Sequence, residues 1–592
     1  MPCPPPRPQP TPGAPEASPP RSARAQARPA LAAWAPLLGL TFGMGLGAPA
    51  WAAPIPAVPC STLDRLAEGP RPIRALAPPA PPTGTKGSRD AYGIRGSELT
   101  TENFVIRWGP SGGVTSGEVA RLGEALEAAW AEQITVQGHP QPDTSDAWLF
   151  NVYIGDSGGG APSSYGSGGW YSVDGEGWPM LVVAASSLDT PDFADITAAH
   201  EFYHAVQDAT LRYSYDGLSA WLWESTAVWA SATVFPENSY YAVFLFGYVI
   251  YPDYPVNFFD YYDTGALTEY YQYGSFLWPW FVSEQVADRD LIREVWTDPG
   301  ADGDPLEVMR AALLRRGLDL DEVWLDHIAA NATWDYPDRG LLLANLADWE
   351  GSVEWDAVVA AEVGPEGTGG WASGPEALRP MRYGSNAIAI APGDLPALRV
   401  RLAGEASGSQ RSPARWGGRV VAVRGGAPTV YPLAMADDAN GEVTVPDANL
   451  AEELWLVVGA WTEDTDHYER ERFRYAYAVD AAGGGADGGA GDGAADGTSD
   501  GGAADGGAGD GGAADGATDG ASDGGADDSG ADGSGAADGA GADGIDVPSD
   551  GGSDVPADDV KLADTGCATA PQPWAPWALG LGLAAVVARR RR

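Results

Sequence analysis

The chain is expected to fold as an α+β domain, followed by a β-sandwich domain and then a disordered stalk. Three observations predict this. Across residues 98–368 strand patterns come first and helix patterns follow. Across 369–481 short apolar runs recur with turn residues between them. Across 482–560 the chain is Gly, Ala and Asp with almost nothing apolar and no Lys or Arg, so it cannot offset its conformational entropy by burial. Like charges keep that segment extended, which makes it a stalk. Asp-Gly recurs in it, but a calcium-binding repeat also needs a large apolar residue at fixed spacing, and none is there.

The 592 residues carry a formal net charge of −47, which argues against nucleic acid as a partner, because phosphate binding needs a basic face. With 23 Trp, 23 Tyr and 13 Phe the chain is too aromatic to be disordered throughout. The three cysteines, Cys3, Cys60 and Cys567, lie near the two ends. A disulfide framework is therefore excluded for the folded middle, and so is a thiolate metal site. Any metal there must be held by nitrogen and oxygen.

Residues 1–52 read as a signal peptide. Arg21, Arg24 and Arg28 precede an apolar run over 31–51, which ends at Ala50-Trp51-Ala52, a small-x-small site of the kind signal peptidase cuts. Ala53 is then the mature start; the competing reading is an uncleaved membrane anchor. Residues 53–97 are rich in Pro and Ala and read as a linker, too short for a folded pro-domain. Phe104-Val105-Ile106-Arg107-Trp108 reads as a strand. Thr115-Ser116-Gly117-Glu118 has the form of a capping box, after which Val119, Leu122, Leu126, Ala129 and Trp130 share one helical face. Trp148, Phe150, Val152 and Ile154 alternate in a strand over 147–154, and another strand is expected over 180–185. Helices are expected near 196–210, 218–234, 274–286, 290–296, 306–316 and 320–330. In the sandwich, Leu398, Val400 and Leu402 alternate with Arg399 and Arg401, and 420–423, 454–458 and 473–479 are further strands. This second domain shows no chemistry and is expected to serve substrate docking or packing on the first.

The chemistry lies in Thr197-Ala198-Ala199-His200-Glu201-Phe202-Tyr203-His204-Ala205-Val206. On a helix, His200 and His204 project from one face a turn apart. That spacing lets both imidazoles bind one Zn²⁺ at about 2.0–2.1 Å. Glu201 stands beside the first ligand, where it can reach a metal-bound water as general base. The competing reading is two ordinary helix histidines, but the chain has only five His and two stand here. A third ligand is expected at Glu224, twenty residues beyond His204, within Ala220-Trp221-Leu222-Trp223-Glu224-Ser225-Thr226-Ala227-Val228-Trp229. A lone carboxylate among aromatics is a costly buried charge unless it is paired or metal-bound. Asp208 is a rival, but one turn past His204 it sits about 6 Å further along the helix axis.

With HExxH on one helix and Glu on the next, the sequence resembles the gluzincins, the thermolysin-like clan of zinc peptidases. More closely, it is similar to secreted myxobacterial metalloproteases that open with a strand like Asn103-Phe104-Val105-Ile106, over about Glu102 to Asp480. The resemblance implies a zincin-like catalytic domain and Zn²⁺ as cofactor, held by His200, His204 and Glu224. It also implies a peptide or protein substrate, and a water in the fourth position that Glu201 deprotonates for attack on a peptide carbonyl. Thermolysin-like enzymes carry an acid one turn after the third ligand to orient a ligand histidine. Here that position is Val228, so the orienting group must come from elsewhere. The only later histidine in this domain is His327. The aminopeptidase branch of the clan uses Tyr-x-x-Gly, which Tyr271-Gln272-Tyr273-Gly274 fits. That match implies that Tyr271 or Tyr273 polarises the oxyanion; the alternative is that both simply pack. The branch's exopeptidase motif, Gly-x-Met-Glu-Asn, is absent before the active helix, which favours an endopeptidase.

Residues 561–592 contain Asp564-Thr565-Gly566-Cys567, an apolar run over 574–588 and the cluster Arg589 to Arg592. The run falls short of the about 20 residues a spanning helix needs, and the arginines would stay cytoplasmic. This tail resembles the myxobacterial sorting tag MYXO-CTERM. The resemblance implies cleavage near Cys567 by a sorting protease and transfer to the cell surface; the competing reading is a plain anchor. The expected location is the cell surface or beyond it, with membrane contact only through the terminal segments. Gly155-Asp156-Ser157-Gly158-Gly159 looks like a chymotrypsin-type nucleophile motif, but its order relative to His200 is reversed. A metzincin is excluded because its third His is absent. The competing function class is a non-catalytic, stalked surface-binding protein on a degenerate peptidase fold. Val228 favours it; the intact Glu201 opposes it, since a structural zinc site has no use for that carboxylate.

Overall fold

The computed structural model describes residues 86–482 except 216, 260–266, 299–302, 349–358, 406–412, 438 and 463–470. The expected signal peptide, stalk and sorting tag, and the linker up to residue 85, lie outside the described residues.

β1 (Ser97–Thr100) pairs antiparallel with β2 (Phe104–Trp108), with Ser97 opposite Trp108. β2 runs parallel to β3 (Phe150–Gly155), and β3 parallel to β5 (Pro179–Ala184). β4 (Gly169–Val173) lies antiparallel along the outer side of β5, giving the order β1-β2-β3-β5-β4. Every residue of β3 and β5 is buried, as expected where both faces of a sheet are covered. On one face Ile106, Val152, Ile154 and Val183 meet the helices; on the other, Tyr153, Trp170, Met180 and Val182 cluster with Ile94. That second face is covered by residues the sequence assigned to the linker. Gly87 bridges to Trp148, Arg89 pairs with Asp174 at 2.5 Å, and the Ala91 N–H donates to the Tyr153 hydroxyl.

α1 (Ser116–Trp130) starts at the expected capping box: Thr115 accepts from the Glu118 N–H, and the Glu118 carboxylate accepts from the Thr115 N–H. Its buried face carries Val119, Leu122, Leu126 and Ala129, as the periodicity requires. α2 (Pro191–Thr210) begins earlier than expected, with Pro in its first turn, where the missing N–H costs nothing. It ends at Leu211, in the left-handed conformation. α3 (Ala220–Val234) is buried from Ala220 to Thr233. Neither helix has a solvent face over its central turns, because sheet, partner helix and later helices surround them. The chain leaving α3 returns to the start of α2, where Asn238 donates to the Asp192 carbonyl.

Among the described residues further α-helices follow: α4 (Leu245–Val249), α5 (Tyr271–Gly274), α6 (Leu277–Phe281), α7 (Arg289–Thr297), α8 (Pro305–Arg315), α9 (Leu320–Thr333) and α10 (Arg339–Asp348). The single helix expected over 274–286 is instead α6 and a π-helical turn (Val282–Val286), preceded by the separate α5. Pro279 has no N–H for a preceding turn, so the helix restarts at Leu277 with Pro in its first turn.

The remaining strands are β6 (Ala361–Val363), β7 (Ala372–Ser373), β8 (Gly384–Ile390), β9 (Ala397–Gly404), β10 (Arg415–Arg424), β11 (Ala427–Pro432), β12 (Ala434–Met435), β13 (Asn440–Pro446), β14 (Glu453–Trp461) and β15 (Tyr475–Ala481). They form two sheets, β11-β10-β14-β8-β6 and β12-β13-β9-β15-β7, over one shared core. Leu398, Val400 and Leu402 point into that core and Arg399 and Arg401 away from it, as their alternation predicts. The β10–β11 hairpin turns on Gly425 and Gly426, both at positive φ. The back of the first of these sheets rests on α9: Leu325 lies against Gly417 and Gly459, and Arg419 pairs with Asp326 and Glu322.

Candidate metal centre

α2 carries His200 and His204 one turn apart, and α3 brings Glu224 against them. His200 Nε2 lies 3.1 Å from Glu224 Oε2 and 3.2 Å from His204 Nε2; His204 Nε2 lies 3.7 Å from the same oxygen. Two ligand atoms each bonded to a tetrahedral zinc stand about 3.3 Å apart, so the three atoms trace a face of such a tetrahedron. The residues are 6%, 0% and 0% exposed, and the second carboxylate oxygen, Glu224 Oε1, has no hydrogen-bond partner among the described residues. Among the described residues no other group of three His, Cys, Asp or Glu side chains comes together in this way. Two imidazole nitrogens and one carboxylate with a buried second oxygen are a donor set suited to zinc.

The electrostatics bind the group together. Burial opposes ionisation of Glu224, but the two imidazoles beside it outweigh burial and hold its pKa at about 2. Burial likewise opposes a charge on His204, and the Glu224 carboxylate reverses that and raises its pKa. Gln207, three residues after His204, places Oε1 2.7 Å from His204 Nδ1. Its Nε2 donates to the Trp223 carbonyl and to the Thr226 hydroxyl, each at 2.9 Å. Gln207 is not among the residues the sequence motif singles out; its one local signal is an amide on α2, one turn beyond the second histidine.

Glu201 is 1% exposed and lies under β4. A Cβ added at Gly169 would stand 3.0 Å from Glu201 Cγ and 3.1 Å from Thr197 Cγ2. His200 and Glu201 open into a cleft lined by Phe193, Ile196, Thr197, Val228, Ser231, Tyr240, Tyr241, Val243, Phe244 and Tyr273. Apart from His200 and Glu201, this lining carries no ionisable group other than tyrosine. Val228 therefore faces the cleft and contributes an apolar wall.

The two candidate tyrosines separate. The Tyr273 ring centre lies 6.3 Å from that of His200, on the cleft. Tyr271 does not reach it: its hydroxyl donates to the Tyr254 carbonyl and its ring packs on Tyr248 and Phe258. Its expected catalytic part is corrected on that ground. Asp208 accepts from the Tyr171 hydroxyl and stands outside the ligand group. Ser157 is buried, donating to the Ile154 carbonyl and accepting from the Gly109 N–H, so it shapes a turn. His139 and His327 are core residues whose pKa values burial lowers to about 3. His327 is held by Tyr248 and Tyr336.

A family model described as "Family of unknown function (DUF6055)" matches residues 98–487. No curated protein matches this chain. Among solved structures there is a similarity to a family GH115 4-O-methyl-α-glucuronidase with specificity for decorated arabinogalactans. It has 9% identity and a TM-score of 0.12, and covers 50% of this chain and 39% of that one. A likeness of that size carries no argument about fold or activity.

Proposed function

We propose a function from the geometry of the site, because the chain belongs to DUF6055, a family of unknown function: it is a zinc-dependent peptidase. The observation that carries this reading is the convergence of His200, His204 and Glu224 beside a cleft that His200 and Glu201 line. Ligands alone would serve a structural ion. A carboxylate adjacent to them and facing the same cleft is what hydrolysis needs. The order of mixed sheet, ligand helix and second helix supports a zincin-like catalytic domain of the gluzincin kind.

Zinc held there would supply the Lewis acidity that activates water and polarises a carbonyl. The chain's own residues do the rest. Glu201 takes the proton of an attacking water and passes it to the leaving amine. Tyr273, across the cleft, donates a hydrogen bond to the oxygen that gains charge. β4 has β5 as its one strand partner among the described residues, so its other edge can pair with an extended peptide beside Glu201. A peptide bound along that edge passes through the site, which fits an endopeptidase. The expected signal peptide and sorting tag support a location for this activity at the cell surface or outside the cell.

The rival reading, a stalked surface protein without activity, draws on Val228. The hydrogen bond from His204 to Gln207 supplies an orienting partner from another position, which weakens that ground. The test is a chelator-controlled digest of a mixed peptide library with Glu201→Gln as control. The wild type should carry zinc and cleave. The variant should keep its zinc and lose activity by about 10²–10⁴-fold. A zinc-loaded wild type that cleaves no peptide would leave the binding-protein reading standing.

A further inference from the structure

We infer that Gln207 is the positioning residue of the metal centre: its amide sets the tautomer of His204 and ties the two ligand-bearing helices into one frame. The inference rests on the metal-binding reading above. A side-chain amide offers one acceptor oxygen and two donor hydrogens. The Trp223 carbonyl can only accept, so the nitrogen end of Gln207 must face it. The Thr226 hydroxyl gives its hydrogen to the Leu222 carbonyl at 2.6 Å, which leaves its lone pairs to accept from Gln207 and from Trp296 Nε1. Both donors of Gln207 are thereby committed, and its oxygen is left facing His204 Nδ1 at 2.7 Å. An oxygen at that distance accepts from a protonated nitrogen. His204 therefore carries its hydrogen on Nδ1 and keeps the Nε2 lone pair for the ion shared with His200 and Glu224.

The same amide reaches across to α3 on both sides of the carboxylate ligand, at Trp223 and Thr226. Turning Gln207 would lose the His204 bond and both bonds to α3 together. A neutral amide suits the place: Gln207 is 1% exposed, and a carboxylate there would bury a third negative group with Glu201 and Glu224. The orienting group that Val228 does not provide thus comes from the ligand helix itself.

The test compares zinc affinity, by competition with a chromophoric chelator, in full-length wild type, Gln207→Leu and Gln207→Glu. The d–d spectrum of Co²⁺ in each reports ligand geometry, and a melt of each metal-free protein reports folding. Gln207→Leu removes the acceptor and should weaken zinc binding by about 10–100-fold and alter the Co²⁺ spectrum. Gln207→Glu restores an acceptor and should bind near the wild-type value, even with a lower melting temperature. Gln207→Met, of similar length without an acceptor, replaces the Leu variant if that one does not fold. Unchanged affinity in the variants without an acceptor would overturn the inference and leave the metal site intact. So would equal losses in all variants that follow only their melting temperatures. A wild type that binds neither Zn²⁺ nor Co²⁺ would overturn the metal reading and this inference with it.

Discussion

Tyr271 and Tyr273 stand two residues apart on one short helix, and burial alone does not distinguish them. What separates them is direction: one hydroxyl ends on a backbone carbonyl inside the helical core, while the other ring stands by His200. Tyr273→Phe should therefore lower kcat by about a hundredfold or more, the cost of one oxyanion donor, with KM little changed. Tyr271→Phe should leave kcat alone and lower stability by about 1 kcal/mol, the worth of one hydrogen bond. Steady-state kinetics and a thermal melt of both variants decide it. The four residues of the proposed centre were legible in the sequence for a reason that holds at this scale. A spacing of four on a helix puts two rings together whatever the tertiary fold, and a single Glu in an apolar helix must find a partner. Gln207 was not legible, because its value depends on where the Trp223 carbonyl lies, which no local pattern records.

At the level of elements, the approach of β4 to α2 confines Glu201, the proposed general base. Gly169 has no side chain, and an added Cβ would press on Glu201 Cγ, Thr197 Cγ2 and the Val182 carbonyl. Gly169→Ala is expected to lower kcat while zinc content stays at the wild-type value, measured by elemental analysis and peptide turnover. A variant with full turnover would show that the base tolerates displacement. β4 itself escaped the sequence reading, since Gly-Trp-Tyr-Ser-Val after a Gly-rich stretch looks like loop. α2 starts at Pro191, ahead of the expected 196, because Pro191 and Asp192, both ordinary first-turn residues, precede the apolar pattern. The helices away from the site, α7 to α9, lie within a few residues of the expected 290–296, 306–316 and 320–330, and each opens on an aspartate cap, Asp288, Asp304 or Asp319.

Across the whole molecule, the sandwich and the helical part share a seam along α9. Gly417 and Gly459 let the sheet lie flat on Leu325, and a Cβ at Gly417 would come 2.4 Å from Leu325 Cδ1. Val421, Trp455, Val457 and Trp461 belong to the same apolar cluster as the helices. The two parts should therefore unfold in one transition. Gly417→Val should lower the stability of both together by about 1–3 kcal/mol, the cost of overpacking, seen as one shifted melt by tryptophan fluorescence and circular dichroism. Two separate melts in the wild type would contradict the shared seam. The sandwich strands were readable from alternation, but the seam was not: glycines in β10 and β14 carry no pattern of their own and gain meaning only from the helix laid across them. Residues 86–96 hold a further consequence. They roof the side of the first sheet that looks away from α2 and α3, over Tyr153, Trp170, Met180 and Val182. Proteolytic trimming that leaves a soluble product must then stop before Lys86, and a recombinant fragment begun at Ser97 would bare an aromatic slab and precipitate.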